Sequence, residues 1–139
     1  MKRAHILLAL CIIFAMGAAP VQAKEDVIEI KERVFVSLIN DIYLNAEDYV
    51  GKKIRLQGVF EKIRDEDTKA YFYSITRQGP GCCGSDLNPG FEVIWDKKYP
   101  RHGSWVDATG VLEIYDKGYV RLRLTELKAM PKAGRLIVK

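Results

Sequence analysis

The sequence predicts a mainly β fold, a small five-stranded Greek-key barrel with a short N-terminal helix ahead of the first strand. Three observations carry this. From Lys52 onward apolar and polar residues alternate in five runs: Ile54 to Ile63, Ala70 to Thr76, Phe91 to Trp95, Trp105 to Tyr115 and Tyr119 to Met130. Two of the long runs carry an internal glycine in matching surroundings, Gly58-Val59-Phe60-Glu61 and Gly110-Val111-Leu112-Glu113. A glycine inside a long strand commonly marks a bulge that bends it, and small closed barrels need bent strands at their corners. Turn residues punctuate the runs: Asp65-Glu66-Asp67 marks one turn, and Asp116-Lys117-Gly118 marks a tight hairpin. Five strands with two long, glycine-kinked members give the OB type of barrel. Residues 96–104 are too few for a helix between the third and fourth strands, so a plain loop is expected there.

The elements before the first strand read in order. Residues 1–23 form a signal peptide: Lys2 and Arg3 are a basic start, Ile6 to Met16 is apolar, and Val21-Gln22-Ala23 reads as a cleavage site after Pro20. The apolar stretch is shorter than the ~20 residues of a spanning helix. Cys11 follows Leu8-Ala9-Leu10, where a lipidated cysteine would want a small residue before it. Residues 24–44 form a lead-in segment. Its first ten residues alternate charged and apolar, as a short strand or a loose lead-in would. From Val34 to Leu44 the pattern is ambiguous, because Phe35, Leu38, Ile39 and Ile42 fit helical spacing while β-branched residues also allow a strand. Asn45 to Gly51 reads as a short helix, with Asn45 able to cap, Glu47 and Asp48 at its positive end and Gly51 ending it. The barrel occupies 45–130, and 131–139 reads as a C-terminal tail.

Composition bounds function. The chain has 139 residues, 48% hydrophobic and 29% charged, with a formal charge of +4. That is the balance of one globular domain, and it excludes a large multidomain enzyme, a coiled coil or a disordered chain. Loss of the leader removes Lys2 and Arg3 and no acid, which lowers the charge by two. So small an excess of positive charge disfavours nucleic acid as a partner.

The most unusual stretch is Arg77 to Gly90, a loop with four glycines, two prolines and the adjacent pair Cys82-Cys83. Long structured loops in compact domains are often functional. In an oxidising compartment two cysteines normally pair. Neighbouring Cα atoms lie about 3.8 Å apart, however, whereas an ordinary disulfide wants roughly 4.4–6.8 Å. A bridge between Cys82 and Cys83 would be strained and easily reduced. Four readings stand: buried thiols, a metal site, a strained thiol redox switch, or pairing between chains. For a metal, thiolates suit zinc or copper(I). Asp86, Asp96 and His102 are the available supplements, although adjacent thiols are not the usual zinc spacing. A lone histidine in a polar loop is, in the plain reading, simply solvated.

Catalysis has little support. One histidine remains after the leader, and no third group is in sight to orient a nucleophile–base pair. The chain reads as a non-enzymatic binding module. A second surface suits an extended polymer, an oligosaccharide or single-stranded nucleic acid. Tyr71 and Tyr73 share one face of the second strand, and Arg121 and Arg123 share a face of the fifth, opposite Val120, Leu122 and Leu124. The plain alternative is ordinary strand alternation. Trp95 and Trp105 read as core or barrel-end packing.

Four segments carry a resemblance: Asn45 to Ile54, Gly79-Pro80-Gly81-Cys82-Cys83-Gly84, Phe91 to Trp95, and Trp105-Val106-Asp107-Ala108-Thr109-Gly110. From Asn40 to Met130 the chain resembles small secreted or lipid-anchored bacterial proteins. It is similar, more distantly, to the C-terminal domain of YcgQ-type permease-associated proteins, in which a strand, a Cys-Cys loop and another strand precede W-V-x-V-x-G. The resemblance implies an OB-like barrel at the cell envelope, and the relatives' link to metal homeostasis implies a metal at Cys82 and Cys83, with Asp86 nearby. This loop reads Cys-Cys-Gly-Ser-Asp, where the relatives continue with small apolar residues. The chain departs from those relatives also in an expected lack of transmembrane helices after the leader, so a permease role does not transfer. The expectation is an exported protein of the periplasm or cell envelope with a possible envelope protein partner.

Overall fold

A computed structural model describes residues 26–79 and 87–138. The elements are β1 (Val27–Ile30), a 3-10 turn (Glu32–Val34), α1 (Phe35–Leu44), α2 (Ala46–Tyr49), β2 (Lys53–Arg64), β3 (Tyr71–Thr76), β4 (Gly90–Ile94), β5 (Trp105–Tyr115) and β6 (Tyr119–Ala129). They form a mainly β fold, a six-stranded mixed sheet with short helices. Among the described residues, no helix is long and apolar enough to cross a membrane.

The lead-in segment is where the structure adds most to the sequence reading. Val27–Ile30 is a sixth strand, pairing in parallel with the start of β2, Val27 opposite Lys53 and Ile30 opposite Leu56. The ambiguous stretch after it is helical. Phe35, Ile39 and Ile42 recur at helical spacing and are all buried, so the helix sets one apolar stripe on the core. The short helix after it forms as expected, with Glu47 and Asp48 in its first turn and Gly51 beyond it at φ +80°. Asn45 does not cap it. Its amide donates instead to the Asp41 carboxylate, 2.8 Å away.

β2 organises the sheet because its two halves have different partners. Its first half lies between β1 and β5, antiparallel to the latter from Lys53 opposite Val111 to Val59 opposite Trp105. Its second half pairs with β3, from Val59 opposite Thr76 to Arg64 opposite Tyr71. Gly58 sits at the changeover. A Cβ there would lie 2.5 Å from the Thr76 carbonyl oxygen, so close approach of two backbones, not an inserted residue, requires glycine. Gly110 does adjoin a bulge: the β5–β6 register shifts between Thr109 and Gly110. The remaining pairings run β3 with β4, β4 in parallel with β6, and β6 with β5. The Asp116-Lys117-Gly118 turn has positive φ at all three residues, as a tight hairpin demands.

Alternation puts Ile54, Leu56 and Phe60 of β2, Ile75 of β3, Phe91 and Val93 of β4, and Leu122 of β6 into one core. The C-terminal segment joins it. Val138 is buried, its amide donates to the Gln78 carbonyl, and the Gln78 amide donates to the Leu136 carbonyl.

Candidate functional site

The hydrogen-bond ladder of the β3–β4 hairpin continues past both strands. The Arg77 amide donates to the Pro89 carbonyl at 3.0 Å. Gly79 and Leu87 then exchange two bonds, 2.8 Å from the Gly79 amide and 3.2 Å from the Leu87 amide. This pair closes a neck from which residues 80–86 depart and return. Cys82, Cys83 and Asp86 are among them and lie outside the described residues. The neck is held on two sides. Gly79 packs against Val36 of α1 and the Pro89 ring, where a Cβ would come within 3.1 Å of the valine. Gln78 is bonded to the C-terminal segment. A cleft of about 250 Å³ opens beside the neck between Val36 and Tyr43 of α1 and Leu87 and Pro89. Tyr43 stacks on Phe91 at 5.4 Å and donates from its hydroxyl to the Gly90 carbonyl, and its burial raises the phenol's pKa.

The other supplements are not gathered at the neck. His102 accepts the Lys62 amide at its Nδ1, 3.1 Å away, and so serves the β2 backbone. Lys62 lies opposite Tyr73, and Tyr73 precedes Gly79 by six residues of extended chain, about 20 Å at ~3.3 Å per residue. Asp96 follows the far end of β4 and is exposed. Among the described residues, no three His, Cys, Asp or Glu side chains gather as a metal would need.

The tyrosine–arginine surface is divided. Ser74, Glu92 and Arg121 lie in register on adjacent strands, so Arg121 and Arg123 share the outer face with Ser74 and not with Tyr71 and Tyr73. Tyr73 joins an aromatic cluster, 5.7 Å from Phe60 and 3.9 Å from Tyr99, which are 5.6 Å from each other. Tyr71 is half exposed, with the Lys62 ammonium 4.1 Å from its ring centroid. On the outer face Glu113 takes Arg121 at 2.5 Å and Arg123 at 3.0 Å, and the Arg121 guanidinium lies over Tyr115. The Tyr115 phenol, partly desolvated and donating to Glu92, has its pKa pushed up to about 12. Both arginines are thus tied into a local ion-pair network.

A further polar centre escaped the sequence pattern. Asp107 accepts Arg55 Nε at 2.9 Å, Arg55 Nη2 at 2.6 Å and Gln57 Nε2 at 2.9 Å. These residues come together because Arg55 is opposite Thr109 and Gln57 is opposite Asp107 across β2 and β5. Only the alternation of both strands could have hinted at it, since the partners are fifty residues apart. The hydrogen bond from Arg55, with that from Gln57, holds the Asp107 carboxyl below its usual pKa against the opposing effect of burial. A carboxyl depressed in the fold contributes stability above its unfolded pKa, and that contribution is lost as pH falls through the folded value. Asp107→Asn is therefore expected to flatten the fall in urea midpoint below about pH 4. An unchanged acid limb in the variant would contradict this.

The sequence model of the DUF1980 C-terminal domain matches residues 15–135. No curated protein and no solved structure matches the chain. The family match supports the relationship to YcgQ-type proteins suggested by the Cys-Cys loop and the strand motifs around it. With the match running over most of its length, the chain belongs to the DUF1980 C-terminal domain family.

Proposed function

We propose that this protein is an exported, non-enzymatic binding module of the bacterial cell envelope. It is an OB-like barrel that takes a soft metal ion, zinc or copper, or an envelope partner through the Cys82–Cys83 loop. The observation that carries the reading is the neck. Two backbone hydrogen bonds between Gly79 and Leu87 tie the ends of a seven-residue segment in which adjacent thiols stand. Tied ends reduce the chain entropy that a ligand must overcome to order the segment. The barrel reading is supported by the pairings, which pass from β2 through β3, β4, β6 and β5 and return to β2, with β1 added outside the ring.

Two adjacent thiolates supply part of a coordination shell, and Asp86 is the nearest further donor in sequence. A shell short of protein ligands leaves positions open, which suits transfer of an ion to a partner better than permanent storage. The test is a zinc and copper(I) titration of the mature chain against a chromogenic chelator, beside a Cys82→Ser/Cys83→Ser double variant. The expected result is about one ion per chain, lost in the double variant while its urea midpoint stays unchanged. Full metal binding by a folded double variant would overturn the reading.

A further inference from the structure

A broad hollow is lined by neither Gly79 nor Leu87 of the neck. It encloses about 590 Å³ on the outer face of the sheet, where β1, β2, β5 and β6 run side by side. Its floor is the Arg55–Asp107 pair with Thr109 beside it, and its far wall is Thr125, Glu126 and Lys128 of β6. A second hollow of about 220 Å³ shares Arg55 and runs along Gln57 beside Glu29 and Lys31. Together they follow the outer side of β2 from Lys53 to Gln57, roughly 13 Å of strand. The bulge at Thr109 and Gly110 bends β5 against β6 along this stretch.

The chemistry of the lining selects a ligand class. Five basic side chains, Lys31, Lys53, Arg55, Arg77 and Lys128, face four carboxylates, Glu29, Glu32, Asp107 and Glu126. An excess of one charge generates little net field to draw in a polyanion. The central polar groups are already fixed: Arg55 is held bidentately and Gln57 is bonded to the same carboxylate. The Thr125 hydroxyl donates to the Thr109 carbonyl, which orients it too. Donors and acceptors thus alternate along a shallow groove without having to be ordered on binding. The apolar side chains of the larger hollow are Val27 and Met130, and Ile30 and Leu56 line the smaller one. A peptide strand would want pockets for alternate side chains, and the groove has none of that kind.

We infer that this groove binds an uncharged, hydroxyl-rich chain, an oligosaccharide, with the Arg55–Asp107 pair as its central contact. Neither the neck residues Gly79 and Leu87 nor Tyr71, Tyr73, Arg121 and Arg123 line the larger hollow. Hydroxyl groups take up the unused lone pairs and N–H groups of the fixed network, and sugar C–H faces rest on Val27 and Met130.

The experiment is amide NMR on the mature 15N-labelled chain. It is titrated separately with cellotetraose, N,N′,N″,N‴-tetraacetylchitotetraose and a heparin-derived tetrasaccharide. The expected result is a saturable shift of the amides of residues 107–109 and 125–128 with at least one neutral tetrasaccharide, at a millimolar dissociation constant. Lys128→Ala, at an exposed position, is expected to weaken this about fivefold, a loss near 1 kcal/mol. Arg55→Gln should abolish it, while the fold, checked by the unchanged amide spectrum of the core strands, persists. Absence of shifts at those residues with both neutral sugars overturns the inference. Tighter binding of the heparin fragment there also overturns it, since the groove would then be an anion site.

Discussion

Replacing Arg77 with methionine is expected to lower stability by about 3 kcal/mol. Arg77 is almost wholly buried. Its guanidinium lies between two rings, 4.8 Å from the Phe35 centroid and 4.9 Å from that of Trp105. Its Nε donates to the Gln57 carbonyl at 2.7 Å and its Nη1 to the Arg135 carbonyl at 3.2 Å. One side chain thus ties helix α1, strand β2, strand β5 and the C-terminal segment. Burial lowers its pKa, and Glu32, 3.9 Å away and partly exposed, offsets only part of that cost. Methionine keeps the length of the stem and fills the slot between the rings. It removes two charge-assisted hydrogen bonds, worth roughly 1.5–3 kcal/mol each, and two cation–π contacts, while recovering the desolvation cost of the guanidinium. The balance is the figure given. Urea unfolding followed by tryptophan fluorescence measures it, because Trp105 reports on the same slot. A change under about 0.5 kcal/mol, the range of an ordinary surface substitution, would show that the arginine is not holding these elements together.

Gly90→Ala is expected to cost a similar amount for a different reason. A Cβ at Gly90 would stand 2.0 Å from the Ile75 carbonyl oxygen and 2.8 Å from the Thr76 Cα. Both are backbone atoms of the neighbouring strand, so no rotamer can give way. The hairpin would have to open just where β4 begins and the cysteine loop has returned. Overpacking of this kind costs about 1–3 kcal/mol, with the upper end expected here. Gly118→Ala is the control. Nothing lies within 4 Å of its Cβ position, and only its φ of +96° penalises a side chain, a cost of about 1 kcal/mol. Equal urea midpoints for the two variants would contradict the close approach of β3 and β4.

Much of the fold was legible because strand periodicity is local. The alternation of Val120, Leu122 and Leu124 against Arg121 and Arg123 predicts the buried face of β6, and that face is buried. Gly110 and the Asp116-Lys117-Gly118 turn are likewise read from neighbours alone. What escaped was nonlocal. The strand Val27–Ile30 is only four residues long, with one charge at Glu29, and its parallel partner makes it a strand. Arg77 sits at the edge of a glycine-rich loop where no sequence pattern singles it out, yet two aromatic rings from distant segments enclose it. Gly58 looked like a bulge because sequence alone does not distinguish an extra residue from a close backbone approach. For the site, the hairpin that presents the cysteines was legible, and the placing of its supplements was not. His102 is only nineteen residues from Cys83 in sequence, but the hairpin reverses the chain and carries it to the opposite end.

The binding account stands or falls on the state of two sulfur atoms. The direct measurement is the metal content and free-thiol count of the mature protein, purified from its export compartment without chelator. The account predicts about one zinc or copper per chain, with both thiols becoming reactive once the ion is removed. No bound metal together with two unreactive thiols would make Cys82 and Cys83 packing residues and contradict it.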